Sequence, residues 1–99
     1  MQLSIKTIKA AHNRIKPYII NTPIKSDKEI NDLVDADVYF KCENLQNSGS
    51  FKFRGASNAV FSLNDEEARR GVITVSSGNH GTALSMAAKN RGIPATVIL

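Results

Sequence analysis

The chain has no tryptophan and a single cysteine, Cys42, among its 99 residues. One thiol cannot form an internal disulfide, so a fold without cross-links in a reducing compartment, the cytoplasm, is the expectation. No apolar run approaches the roughly 18 residues of a membrane span, and the N-terminus lacks the apolar core of a signal peptide. The two histidines, His12 and His80, are far apart with no Cys/His cluster around them, so no zinc-ligand spacing is present. Charge of one sign is also scarce: 13 basic and 9 acidic residues leave a net +4. Lys6, Lys9, Arg14 and Lys16 interleave with apolar residues at helical spacing, which describes a solvated helix face better than a nucleic-acid patch. Asp27, Glu29, Asp32, Asp35 and Asp37 are too scattered to form an acidic tail. Neither nucleic acid nor a membrane is expected as a partner.

An apolar content of 41% is enough for the core of one small domain. Ile5, Ile8, Ala11 (or His12) and Ile15 recur at helical spacing and predict a helix from Ser4 to about Tyr18, ended by Pro17 and Asn21-Thr22-Pro23. Ser26 or Asp27 can cap a short helix through Val34, with Ile30, Leu33 and Val34 facing inward. Val38 to Cys42 is strand-like, and Glu43 to Gly49 is a polar loop. A helix is predicted from about Phe51 to Leu63, with Phe53, Ala56, Val60 and Leu63 as its core stripe. Asn64 or Asp65 caps another short helix that Gly71 stops, and Val72 to Val75 reads as a buried strand. Gly81 to Asn90 is helical, ended by Gly92 and Pro94, and Ala95 to Leu99 is a final strand. Strand, helix, strand, helix, strand predicts an α/β fold with a three-layer parallel sheet. The sequence stops inside that last apolar strand, so the expectation is an incomplete domain over residues 1–99, the N-terminal part of a longer protein.

Two segments concentrate the chemistry. In Ser50-Phe51-Lys52-Phe53-Arg54-Gly55-Ala56 a lysine stands between two phenylalanines at a predicted helix start. Apolar surroundings favour the neutral amine, the form that attacks an aldehyde to give a Schiff base. The alternative is a lysine whose stem packs while its amine reaches water. Ala56, Ala59 and Leu63 would make the face of the helix that carries Lys52 small and apolar. The second segment, Ser76-Ser77-Gly78-Asn79-His80-Gly81, lies between a predicted strand and a helix. Free backbone N–H groups and the positive end of the helix dipole suit such a junction to a carboxylate or phosphate. It has neither the Walker nor the GxGxxG spacing. An ordinary strand-to-helix turn with a Ser or Asn cap is its alternative reading, and His80 by itself reads equally as a structural hydrogen-bonding residue.

Lys41-Cys42-Glu43-Asn44-Leu45-Gln46, followed by Gly49 to Ala56, resembles the cofactor-attachment segment of the fold-type II pyridoxal-phosphate enzymes. Within these it is most similar to the threonine/serine dehydratase and serine racemase group. Ser76 to Gly81 resembles the same family's substrate-carboxylate and cofactor loop, and Thr22-Pro23 and Arg91-Gly92-Ile93-Pro94-Ala95 match its wording. The resemblance runs over nearly the whole chain and implies the tryptophan synthase β-like fold. It implies that Lys52 holds pyridoxal phosphate and serves as base at the substrate Cα. Phe51 would pack beside the cofactor and Asn79 would bond its ring hydroxyl oxygen. Ser76, Ser77, Asn79 and His80 would receive the carboxylate of a small amino-acid substrate. The implied reaction is ammonia-lyase (dehydratase) chemistry on serine- or threonine-type hydroxy amino acids, giving a 2-oxo acid and ammonia. Serine racemase activity follows if Cα is reprotonated from the opposite face. Serine racemases and hydroxyaspartate dehydratases carry serine at the position of Ser77, where many threonine dehydratases carry alanine, so Ser77 is the implied second acid/base. At the position of Asn47, animal serine racemases have lysine near their nucleotide site, so ATP activation does not carry over.

The family's glycine-rich phosphate loop, pyridine-nitrogen partner and Mg2+ ligands would lie beyond residue 99, as would most of the pocket for the substrate side chain. The family is usually oligomeric, so a homo-oligomer is implied for the full-length protein. These 99 residues alone are expected to be inactive. The competing class is a non-catalytic remnant or small anion-binding α/β module that keeps the motifs by descent.

Overall fold

The structure, a computed structural model, describes residues 2–99. Its centre is a pair of helices, α3 (Lys52–Ser62) and α5 (Asn79–Arg91), packed along their length. The buried cluster between them joins Phe53, Ala56 and Val60 to Ala83, Leu84 and Ala87. Alanine at the facing positions lets the backbones approach closely, and Phe53 and Val60, both fully buried, fill the remaining space. Ile19, Phe61, Val72 and Ile93 close over the cluster.

Arg91 fixes the direction of the pair. Its guanidinium donates to the carbonyl oxygens of Val60 and, at 2.8 Å, Leu63, both at the C-terminal end of α3. Within the helix end Val60 C=O accepts only a long 3.4 Å bond from Leu63 N–H, so the arginine supplies donors that the last turn lacks. The C-terminal ends of α3 and α5 therefore lie together, and their N-terminal ends point the same way.

The remaining elements are anchored to this pair. Helix α1 (Ile5–Ile15) begins at a capping box between Ser4 and Thr7 and packs on α3, where Arg14 donates to Asn58 Oδ1 at 2.6 Å. Helix α4 (Asp65–Arg70) starts at a second capping box, Asn64 with Glu67. Its acidic first turn and its closing Arg69 and Arg70 both suit the helix dipole. Strands β3 (Val72–Val75) and β4 (Ala95–Ile98) pair in parallel from Val72↔Ala95 to Val75↔Ile98, joined through α5 as a βαβ unit. Gly71, at φ +81°, makes the bend into β3, and a Cβ there would sit 2.6 Å from the carbonyl oxygen of Pro94. The approach is needed because Val72 donates to that same oxygen at 2.9 Å.

The α/β class and most element positions follow the sequence reading, with four differences. The predicted strand Val38–Cys42 shortens to β2 (Phe40–Lys41), which pairs antiparallel with β1 (Ile24–Lys25) instead of joining β3 and β4. Chain reversal through α2 (Lys28–Val34) brings these segments together, a non-local pairing that no local pattern encodes. In α2, Asp27 does cap the helix, accepting from Ile30 N–H at 3.0 Å, but Ile30, Leu33 and Val34 face outward. In α1 only Ile15 of the expected stripe is buried, while Ile5 and Ile8 are exposed. Strand β3 is covered on one face only: Ile73 and Val75 are 67% and 75% exposed.

Ser57 is fully buried inside α3, and its hydroxyl has no hydrogen-bond partner among the described residues. An orphaned buried hydroxyl costs free energy, and alanine is also the better helix former. Ser57→Ala is expected to raise the stability of the protein by about 1 kcal/mol, read from the midpoint of urea unfolding. An unchanged or lower midpoint would mean that the hydroxyl is satisfied.

Candidate functional site

The lysine segment is built from a tightly bonded turn. Gln46, 3% exposed, accepts from Ile20 N–H at 2.8 Å and donates to Ile20 C=O at 2.8 Å. Next to it, Asn47 Nδ2 donates to Tyr18 C=O at 2.8 Å. Ser48 and Gly49 then take left-handed backbone conformations, φ 64° and 79°, which swing the chain into α3. The first turn of α3 follows without a side-chain cap.

Lys52 is exposed, and its Nζ lies 5.0 Å from the centroid of the Phe51 ring. The wedge between two phenylalanines is not formed. Successive residues of a helix point about 100° apart, so Phe53 enters the α3–α5 core while Phe51 remains 62% exposed. Of the row expected beside the lysine, Ala56 is buried, Leu63 half-buried and Ala59 exposed. Lys52 thus presents an accessible amine over one aromatic face, with no ion-pair partner among the described residues.

The second segment closes on itself through Ser76. Its Oγ accepts from Gly78 N–H at 3.3 Å and Gly81 N–H at 3.0 Å. Gly81 is buried, and a Cβ there would stand 3.0 Å from Val97 Cγ1 and 3.2 Å from Ser76 C=O. Helix α5 begins at Asn79, two positions before the predicted Gly81, with Gly78 as an N-cap that offers no side-chain acceptor. The N–H groups of Asn79 and His80 consequently have no partner among the described residues. Ser77, Asn79 and His80 are exposed. Ser76 and Ser77 line a shallow cleft of about 240 Å³ with Gly78, Gly81, Thr82 and Val97; Lys52, Asn79 and His80 are not among its walls. Lys52 and Asn79 open the two parallel-running helices, so both segments lie toward the same end of the central pair.

Glu43, to which the sequence reading gives no role of its own, is the most heavily bonded charge among the described residues. Its carboxylate accepts from Arg54 Nε and, at 3.1 Å, from Arg54 Nη2, and Thr22 Oγ1 donates to it at 2.5 Å. The Arg54 guanidinium, above all, holds the Glu43 carboxyl well below its ordinary value of 4.5, at about 2, and Glu43 raises Arg54 in return. Spacing alone could not announce this pair, since Glu43 and Arg54 sit eleven residues apart across a turn.

Residues 15–99 match the family of pyridoxal-phosphate dependent enzymes. The chain belongs to that family. It is 54% identical over 97 residues to a serine racemase of Dictyostelium discoideum, covering 98% of this chain and 30% of the relative. A beta-hydroxyaspartate dehydratase of Paracoccus denitrificans is 56% identical over 90 residues, 91% of this chain and 29% of the relative. The solved structure of maize serine racemase superposes with a TM-score of 0.93 at 47% identity, over 98% of this chain and 30% of that one. The fold is therefore that of the fold-type II pyridoxal-phosphate enzymes, and the chain spans about 30% of the length of the relatives it matches.

The sign of the Glu43 shift sets a pH dependence. A carboxyl whose folded value lies below its unfolded one stabilises the fold fully above about 4.5, and that contribution is lost as pH falls toward about 2. The urea midpoints of the wild type and Glu43→Gln are expected to differ most at pH 6 and to converge as pH drops through this interval. A gap that stays constant with pH would show that the ionised carboxylate is not the source of the effect.

Proposed function

We propose that this chain supplies the cofactor lysine and the carboxylate-binding loop of a pyridoxal-phosphate enzyme acting on small β-hydroxy amino acids, with ammonia-lyase and serine racemase activity. The observation that carries the reading is the placement of an accessible lysine without an ion-pair partner and of a helix start with free Asn79 and His80 N–H groups at one end of a parallel helix pair. Those residues fit the cofactor. An amine without an ion-pair partner can hold an aldehyde, and the neighbouring Phe51 ring offers an apolar face to a planar heterocycle.

When bound, pyridoxal phosphate withdraws electrons from the Cα of an amino acid whose amine it holds. The chain's own groups have separate tasks. Lys52 Nζ retains the cofactor and, once released from it, takes the proton from Cα. The N–H groups of Asn79 and His80 at the start of α5, with the side chains of Ser76, Asn79 and His80, receive the substrate carboxylate; the helix dipole and the lack of a partner for these two groups favour an anion there. Orienting the carboxylate sets which bond at Cα is presented to the base. Ser77 Oγ delivers a proton to the opposite face of Cα, which inverts the substrate. Departure of the β-hydroxyl as water would instead release an enamine, which tautomerises and is hydrolysed by water to a 2-oxo acid and ammonia. The hydroxyl at position 77, in a chain similar to both a serine racemase and a beta-hydroxyaspartate dehydratase, supports a protein able to follow both outcomes.

The test uses the full-length protein. Borohydride reduction after incubation with pyridoxal phosphate should fix the cofactor on the peptide that carries Lys52, and Lys52→Ala should lose that label together with turnover. Label of equal stoichiometry on another lysine would overturn the assignment. Ser77→Ala is expected to slow racemisation of serine about 100-fold while elimination falls far less. Equal loss of both activities would remove Ser77 from the second proton transfer.

A further inference from the structure

The first turn of α3 poses a positional problem. It has no side-chain N-cap and no acidic residue to complement the helix dipole. Its one backbone-to-side-chain bond, from Lys52 N–H to Ser50 Oγ, is long at 3.4 Å. A helix end so weakly capped frays, and a functional amine in its first position would wander with it. Phe53, fully buried, secures one side of the turn. The other side is secured by Arg54.

We propose that the Glu43–Arg54 pair is a positioning device for Lys52, clamping the first turn of α3 to the strand-and-turn segment before it. This rests on the reading of Lys52 as the cofactor lysine. Arg54 engages both oxygens of Glu43, so the guanidinium plane, and with it the rotation of the helix start, is fixed as well as its distance. Glu43 is itself immobilised. Thr22, 3% exposed, donates to it, and Gln46, equally buried, ties the same turn to Ile20. Thr22 is held in turn by Lys41 Nζ on its carbonyl at 2.6 Å, while Cys42 N–H bonds Pro23 C=O at 3.0 Å. Three stretches of chain thus converge on one carboxylate, and the arginine it holds is two residues from Lys52. The pair is well shielded, with Glu43 and Arg54 side chains 14% and 29% exposed, so it is less screened than a surface ion pair. Lys52 is followed directly by two anchored residues, Phe53 by packing and Arg54 by charge. Its backbone is thereby held although its side chain is open to solvent.

The experiment measures, on the full-length protein, how fast pyridoxal phosphate is trapped by borohydride at Lys52 relative to two exposed lysines, Lys25 and Lys89. Glu43→Gln removes the charge, and Arg54→Lys keeps the charge but loses the fork. Each variant is assayed under conditions where its circular dichroism is native, so that global unfolding does not enter the ratio. The Lys52 ratio is expected to fall about tenfold or more in both variants, with Arg54→Lys folded even if Glu43→Gln is not. A ratio within about twofold of wild type in Arg54→Lys, whatever its unfolding midpoint, would overturn the proposal and leave the pair a purely structural one. If the wild type itself fails to label Lys52, the cofactor-lysine reading fails first. Labelling in the wild type with unchanged variants overturns the positioning role alone.

Discussion

The structure depends on the close approach of α3 and α5. Ala56 on one helix and Ala83 and Ala87 on the other leave room for backbones to near each other, and Phe53, Val60 and Leu84 lock the seam. Burial of a side chain the size of Phe53 contributes about 2–3 kcal/mol, so a few residues dominate the stability of so small a core. Larger side chains at the alanine positions would push the helices apart, and every feature carried by their N-terminal ends would move with them. Arg91 extends the seam at the opposite end, where it bonds the last carbonyls of α3. A greasy contact and a charged cap thus serve a single end: two helix starts held side by side.

Those helix starts are anchored by unlike means. The loop before α5 is small and self-contained, with Ser76 bonding backward into the turn and Gly81 fitting against Val97. The segment before α3 is long and polar, and it bonds to residues 18–23 as much as to itself. A short loop after a paired strand inherits its position from the ladder, and here Ser76 N–H still bonds Ile98 C=O at 2.9 Å. A long segment has no ladder to inherit from, since β2 is only two residues long. Side-chain hydrogen bonds must then do what the sheet does elsewhere, which explains why Gln46, Asn47 and Glu43 are all engaged within five positions.

Much of this was legible in the sequence. Asp27 and Asn64 are found as helix caps, Gly71 and Gly92 as stops, and Val72–Val75 as a strand with its predicted bounds, because each of these is decided by neighbours along the chain. Periodicity correctly grouped Ile30, Leu33 and Val34 on one face of α2, yet it could not say that no described residue covers this face. The pairing of Phe40–Lys41 with Ile24–Lys25 depends on a reversal across α2 and was equally hidden. For the site, both motifs were visible as residue types, but their common end on a parallel helix pair was not, since Arg91 decides it from far along the chain.

Lys52 shows why adjacency in sequence misleads about environment. Phe51-Lys52-Phe53 suggests an apolar sandwich, whereas the helix turns one ring inward and leaves the other beside the amine at 5.0 Å. A single aromatic face leaves the amine open to solvent on its other sides. What these residues do supply is placement, with Phe53 seated in the core and the chain on either side of Lys52 restrained. An amine nucleophile needs both a reachable neutral form and a fixed position. Around α3 the fold supplies position, through Phe53 in the core and Arg54 on Glu43.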